Sequence, residues 1–132
     1  MKNVILKFTI YLYYLSLIVL LILYLFPGSI IGYLFYGDLD VQPNIVKNPI
    51  GTSINHFFYF FFLTFLGSVY KLSKQKFVNS NLFLITLSIF LELLHYIIPN
   101  RAFELNDVLA NSSGVVVVCF LFFLKKTINE KI

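Results

Sequence analysis

The sequence predicts an all-α, polytopic membrane protein, a bundle of four transmembrane helices with both termini cytoplasmic. Three observations predict it. The 132 residues are 59% hydrophobic and only 12% charged, against about 45–50% apolar and about 25% charged in a soluble domain. The apolar residues fall into four runs of spanning length, since a span needs about 20 of them. The basic residues between the runs alternate between two sides. Four spans use most of the chain, so residues 1–132 form a single membrane domain with no separate soluble one. The composition also excludes a disordered or nucleic-acid-binding tail.

The first helix is expected over about 8–26, because Phe8 to Phe26 carries no charge. Lys2 and Lys7 before it would also suit a cleaved signal peptide. Its apolar core is too long for one, however, and Pro27-Gly28-Ser29 is a poor cleavage site, so a retained helix is expected. The second helix is expected over about 54–70 and is stopped by Lys71, Lys74 and Lys76. The third, about 81–98, contains one charge, Glu92. The fourth, about 108–124, contains none and meets Lys125 and Lys126. A barrel would alternate polar and apolar residues, and Phe57-Phe58-Tyr59-Phe60-Phe61-Phe62 does not. Backbone in lipid must satisfy its own hydrogen bonds, which leaves helices.

Two outer loops complete the fold, 27–53 and 99–107. The first holds Pro27, Gly28, Gly32, Gly37, Pro43, Pro49 and Gly51, which break regular structure. Its apolar stretch Ile30 to Tyr36 is suited to the membrane interface, with Tyr24, Tyr33, Tyr36 and Tyr96 as an aromatic belt. Eight of the ten basic residues (Lys2, Lys7, Lys71, Lys74, Lys76, Lys125, Lys126 and Lys131) fall on one side, and Lys47 and Arg101 on the other. Basic residues favour the cytoplasm, so the two loops face outward, away from the cytoplasm. A single cysteine, Cys119, excludes an intramolecular disulfide.

The informative residues are the polar ones at membrane depth. An ionisable group there costs roughly 2.5–3.5 kcal/mol on insertion scales and points to function. Glu92 lies about 9 Å below the outer end of its helix, at 1.5 Å per residue, and His95 shares its face at i+3. His56 opens the second helix, and Asp107, Asn111 and Gly114 step along one face of the fourth. Arg101 sits in the short outer loop beside Glu104. The ionisable groups of the last three helices thus all lie in the outer third. The pattern predicts a polar cluster, open outward and walled by apolar helices.

A structural role is open to each of these residues. Glu92 and Asn111 can bond a neighbouring helix, Asp107 can cap its own, and Gly114 with Ser112 and Ser113 can allow close packing. The candidate catalytic residues are Glu92, His95, Arg101 and Asp107, with Glu92 and His95 handling protons. The candidate substrate-binding residues are His56, Glu92, Arg101, Asp107 and Asn111, with Arg101 suited to an anionic group. Glu92-x-x-His95 with His56 and Asp107 has metal-ligand chemistry. The spacing matches no specific metal motif, so no metal and no cofactor are expected. No nucleophile elbow, glycine-rich phosphate loop or HExxH motif is present. A transporter is disfavoured, because no inverted repeat and no polar lining of the inner halves are visible.

The order His56-Phe57-Phe58-Tyr59-Phe60, Glu92-Leu93-Leu94-His95, Arg101 and Asp107-x-x-x-Asn111-x-x-Gly114 resembles the VanZ-like family of small bacterial membrane proteins, over about Ser53 to Phe123. His95 stands where that family carries Gln, Thr52-Ser53 where an Asp-Lys pair is usual, and Val118 where a second glycine is common. The family takes its name from a protein associated with low-level resistance to teicoplanin, a lipoglycopeptide that targets cell-wall precursors at the outer membrane face. The resemblance implies a cell-envelope role and a lipid or lipid-linked cell-wall precursor as partner. The alternative is a structural or accessory protein, with a membrane protein or a second copy as partner and an interhelical network for its polar cluster. No nucleic acid is implied.

Overall fold

The computed structural model describes residues 2–42, 53–72 and 77–129. Its elements are α1 (Lys2–Leu25), α2 (Ile30–Tyr36), α3 (Ser53–Leu72), α4 (Phe77–Leu94) and α5 (Leu105–Asn129). The described residues contain no strand, and the chain is all-α. Expectations that rest on Pro43, Lys47, Pro49, Gly51, Thr52, Lys74, Lys76 and Lys131 lie outside the described residues.

The four apolar runs are helical, and their ends differ from the expected ones in ways the local chemistry explains. Helix α1 takes in the polar start of the chain from Lys2, because lysine and asparagine do not break a helix that apolar residues propagate. Helix α4 stops at Leu94 rather than 98. The next residues form a tightened turn, with His95 N–H bonded to Glu92 O at 3.1 Å and Tyr96 N–H to Leu93 O at 3.2 Å. Pro99 disfavours helix in the residue before it. Glu92 therefore stands in the last turn of α4, nearer the helix end than its distance from residue 98 implies. Helix α5 begins at Leu105, ahead of Asp107.

The apolar stretch of the first loop forms the short helix α2. Ser29 caps it, its Oγ accepting the Gly32 N–H at 2.9 Å, and Gly37 ends it in the left-handed region at φ 72°. The segment folds back on itself, with Ser29 N–H bonded to Leu39 O at 2.7 Å. Gly32 permits this, since a Cβ there would sit 1.8 Å from Val41 O. Tyr33, Leu34, Phe35 and Tyr36 are left exposed.

Helix α3 packs on α1, α4 and α5, most extensively on α5, and α4 also meets α1. The α3–α5 approach is close because of Gly114, where a Cβ would lie 2.5 Å from Phe57 O and 2.9 Å from Phe61 N. The apolar core is Leu20, Tyr24, Phe60, Leu63, Leu84, Leu91 and Val115. Burial is otherwise inverted relative to a soluble protein. Ser16, Thr64, Ser68, Ser88, Glu92, His95, Asp107 and Asn111 are buried, while Phe8, Ile18, Phe58, Phe90, Val116 and Phe123 are exposed. Two helices, Asn3–Leu25 and Leu105–Asn129, are long and apolar enough to cross a membrane. Only 17% and 28% of their apolar windows are buried, so their apolar surface faces outward rather than into a core.

Candidate functional site

The chain direction brings four helix ends to one end of the bundle: the last turn of α1, the first of α3, the last of α4 and the first of α5. Every ionisable side chain that the sequence singled out within a helix lies there. Lys7 and Lys125 stand toward the opposite ends of α1 and α5. Glu92, His95, Asp107 and Asn111 are buried, and His56 and Arg101 are half-buried.

Tyr24 is the centre of the cluster. Its Oη lies 2.6 Å from His56 Nδ1 and accepts the Asn111 Nδ2–H at 2.9 Å. It stacks on the His95 ring at 5.4 Å between centroids and meets the His56 ring edge-on. The expected aromatic belt is thus corrected: Tyr33, Tyr36 and Tyr96 are exposed, while Tyr24 is buried in the site. The sequence signal that could have found it is its helical spacing, i+4 and i+7, from Leu20 and Leu17 on the packed face.

The carboxylates are held differently. Asp107 Oδ1 accepts the Ser53 hydroxyl at 2.7 Å, and its Oδ2 lies 3.5 Å from His56 Nε2. Asp107 therefore ties α5 to α3 and does not cap its own helix; its N–H bonds to Glu104 O, one turn earlier. Ser53 is a second site residue that the sequence reading missed, and its position at the helix start was the available signal. Glu92 is fully buried. Its Oε2 lies 3.1 Å from His95 Nδ1 and its Oε1 3.9 Å from His56 Nδ1. Neither oxygen accepts a hydrogen bond. His95 Nε2 lies 3.2 Å from Tyr24 O. A carbonyl only accepts, so this nitrogen carries the proton.

Arg101 reaches back to α1. Its Nη2 donates to Leu23 O at 2.5 Å and its Nε to Phe26 O at 3.3 Å. These are carbonyls left open at a helix end, and two of the five guanidinium N–H groups are used on them. Burial pulls the guanidinium down from its ordinary value, against the opposing pull of Tyr24, Glu92 and Asp107.

A cavity of about 520 Å³ adjoins the cluster. Tyr24, His56, His95 and Arg101 are among its polar lining, with Ser29, Gln42 and Asn55, and Leu20, Leu23, Phe58 and Phe62 are among its apolar walls. Asn111, Glu92 and Asp107 stand behind the lining. Of the sequence candidates, His56, His95 and Arg101 thus face the cavity directly. His56, Glu92 and Asp107 each bring one ligand-type atom within 4.8 Å of the others. A comparison of the chain with protein-family models, with curated proteins and with solved structures finds no match.

Proposed function

We propose that the chain is a four-span protein of the bacterial cytoplasmic membrane, VanZ-like, whose cluster faces outward and binds or acts on an anionic cell-envelope or lipid-linked molecule. The observation that carries this reading is the cavity. Its polar end and apolar walls match an amphiphile with a charged head. The outward-facing apolar surface of α1 and α5 supports membrane embedding. The lysine distribution supports cytoplasmic termini, and the order of His56, Glu92, Arg101, Asp107, Asn111 and Gly114 supports the family.

In this reading the head group sits against the N–H groups of Arg101 not used on α1. His95 and Glu92 hold a proton beside it, Asp107 and Tyr24 fix His56, and Asn111 holds Tyr24. The test is the melting temperature of the full chain in detergent, with a polyprenyl phosphate, with phosphatidylglycerol and with zwitterionic phosphatidylcholine. An upward shift with an anionic lipid in the wild type, lost in Glu92→Gln and Arg101→Ala, is expected. Equal shifts in all three proteins contradict the reading.

A second reading has its own observation. The bonds from Tyr24 to His56 and Asn111, and from Ser53 to Asp107, tie α1, α3 and α5 together. As a purely structural network this would serve an accessory protein. It predicts lower melting for each variant and no response to lipid.

A further inference from the structure

We propose that His56, Glu92 and Asp107 hold a divalent transition-metal cation of the zinc class. The functional reading above concerns the organic ligand of the cavity; this proposal concerns an ion that reading does not require.

The argument begins with Glu92. It is 0% exposed, yet neither carboxylate oxygen accepts a hydrogen bond. A buried carboxylate is stable only when paired, hydrogen-bonded or ligating a metal. The two imidazoles nearby do not supply a hydrogen bond. His95 Nδ1 is 3.1 Å away but has no proton to give while Nε2 carries it, and His56 Nδ1, at 3.9 Å, is already engaged by Tyr24.

The other two groups turn matching atoms toward each other. Asp107 spends Oδ1 on Ser53. His56 spends Nδ1 on Tyr24 and turns Nε2 toward Asp107 Oδ2, at 3.5 Å. Ligand atoms bound at about 2.0–2.2 Å around one ion stand roughly 3–4 Å apart. One ligand-type atom from each of the three residues lies within 4.8 Å of the others, so closure on an ion needs side-chain shifts of roughly 1 Å.

The surroundings have the form of a metal second shell, in which the non-ligating histidine nitrogen and the ligating carboxylates are hydrogen-bonded. Ser53 holds Asp107. Tyr24 holds His56, and its hydroxyl has a further acceptor in Asn111 Oδ1 at 3.3 Å. The hydroxyl can therefore receive an N–H from Nδ1 and direct its own proton to Asn111. Imidazole with two carboxylates suits zinc, manganese or iron better than magnesium or calcium, which take oxygen ligands. Three protein ligands leave the fourth position of a tetrahedral ion open, as in catalytic zinc sites.

The test is equilibrium dialysis of the untagged full chain in detergent against micromolar Zn²⁺, with excess Mg²⁺ present. The visible spectrum after Co²⁺ loading reports the coordination. One ion per chain is expected, with a low-coordinate Co²⁺ spectrum. Glu92→Gln and Asp107→Asn, which keep side-chain shape, should abolish stoichiometric binding. Tyr24→Phe, which removes only a supporting group, should weaken it by ~10–100-fold. No stoichiometric Zn²⁺ on the wild type overturns the proposal, whatever the variants do. So does binding that Glu92→Gln and Asp107→Asn leave unchanged. The chelator-treated protein separates the two readings. A shift with polyprenyl phosphate and no Zn²⁺ binding removes the metal site alone. Zn²⁺ binding with no lipid shift removes the lipid reading alone.

Discussion

Tyr24 and His56, thirty-two residues apart, meet through a 2.6 Å contact between the Tyr24 hydroxyl and His56 Nδ1. Through it the last turn of α1 fixes the ring that faces both Asp107 and the cavity. Tyr24→Phe keeps the ring and its stacking on His95 and removes only the hydroxyl. The expected loss is about 1 kcal/mol, the scale of an interhelical hydrogen bond in a membrane protein. Chemical denaturation of the detergent-solubilised chain measures it. A double-mutant cycle with Asn111→Ala should show coupling, because Asn111 bonds the same hydroxyl.

Gly114 sets the α3–α5 distance and, with it, the reach of Ser53 to Asp107. Gly114→Ala places a Cβ against the backbone of Phe57 and Phe61, which cannot move aside as a side chain would. A loss of about 1–3 kcal/mol is expected, as for other overpacked sites. Gly37→Ala is the comparison. It meets nothing within 4 Å but is strained at φ +72°, at a cost of roughly 1–2 kcal/mol. Both should lower the melting temperature, and only Gly114→Ala should also alter the cluster. Histidine chemical shifts of His56 would register that difference.

Arg101 carries a structural duty beside any role toward a ligand. Arg101→Ala exposes the end of α1 and should cost roughly 1–2 kcal/mol for two hydrogen bonds at a half-exposed site. Arg101→Lys should recover only part, because a point charge cannot bridge Leu23 O and Phe26 O as the planar guanidinium does. Melting temperatures of the three proteins check the order wild type, lysine, alanine.

The proposed four-span topology predicts a labelling pattern. With Cys119 replaced by alanine, single cysteines at Glu104 and at Asp38 should react with a membrane-impermeant maleimide in intact cells. A cysteine at Lys125 should react only after the membrane is opened. Labelling of position 125 in intact cells contradicts cytoplasmic termini.

The helices and much of the cluster were legible because the signals are local. Uncharged runs mark the helices. The i+3 and i+4 steps from Glu92 to His95 and from Asp107 to Asn111 put each pair on one face. What was not legible depends on contacts between distant segments. The spacing of Tyr24 from Leu20 and Leu17 marks a face of α1 but not what that face meets, so its place between His56 and His95 follows only from packing. The reach of Arg101 to the carbonyls of Leu23 and Phe26 joins segments that no periodicity relates. The cap of Asp107 was a sound local expectation that lost to a tertiary partner, Ser53. Helix α4 gives way at Leu94 to a tightened turn before the apolar run is exhausted, which no local breaker announces.

The most direct test of a ligand site, as against a structural network, fills the cavity without replacing a polar side chain. Leu23 lines the cavity and meets Arg101 through its backbone carbonyl, which a substitution of its side chain leaves in place. Native mass spectrometry of wild type and Leu23→Trp, each exposed to equal polyprenyl phosphate and phosphatidylcholine, measures retained lipid directly. The account predicts a retained polyprenyl phosphate on the wild type and its loss on Leu23→Trp at unchanged melting temperature. Equal retention by both proteins, or retention of neither lipid by the wild type, would contradict it.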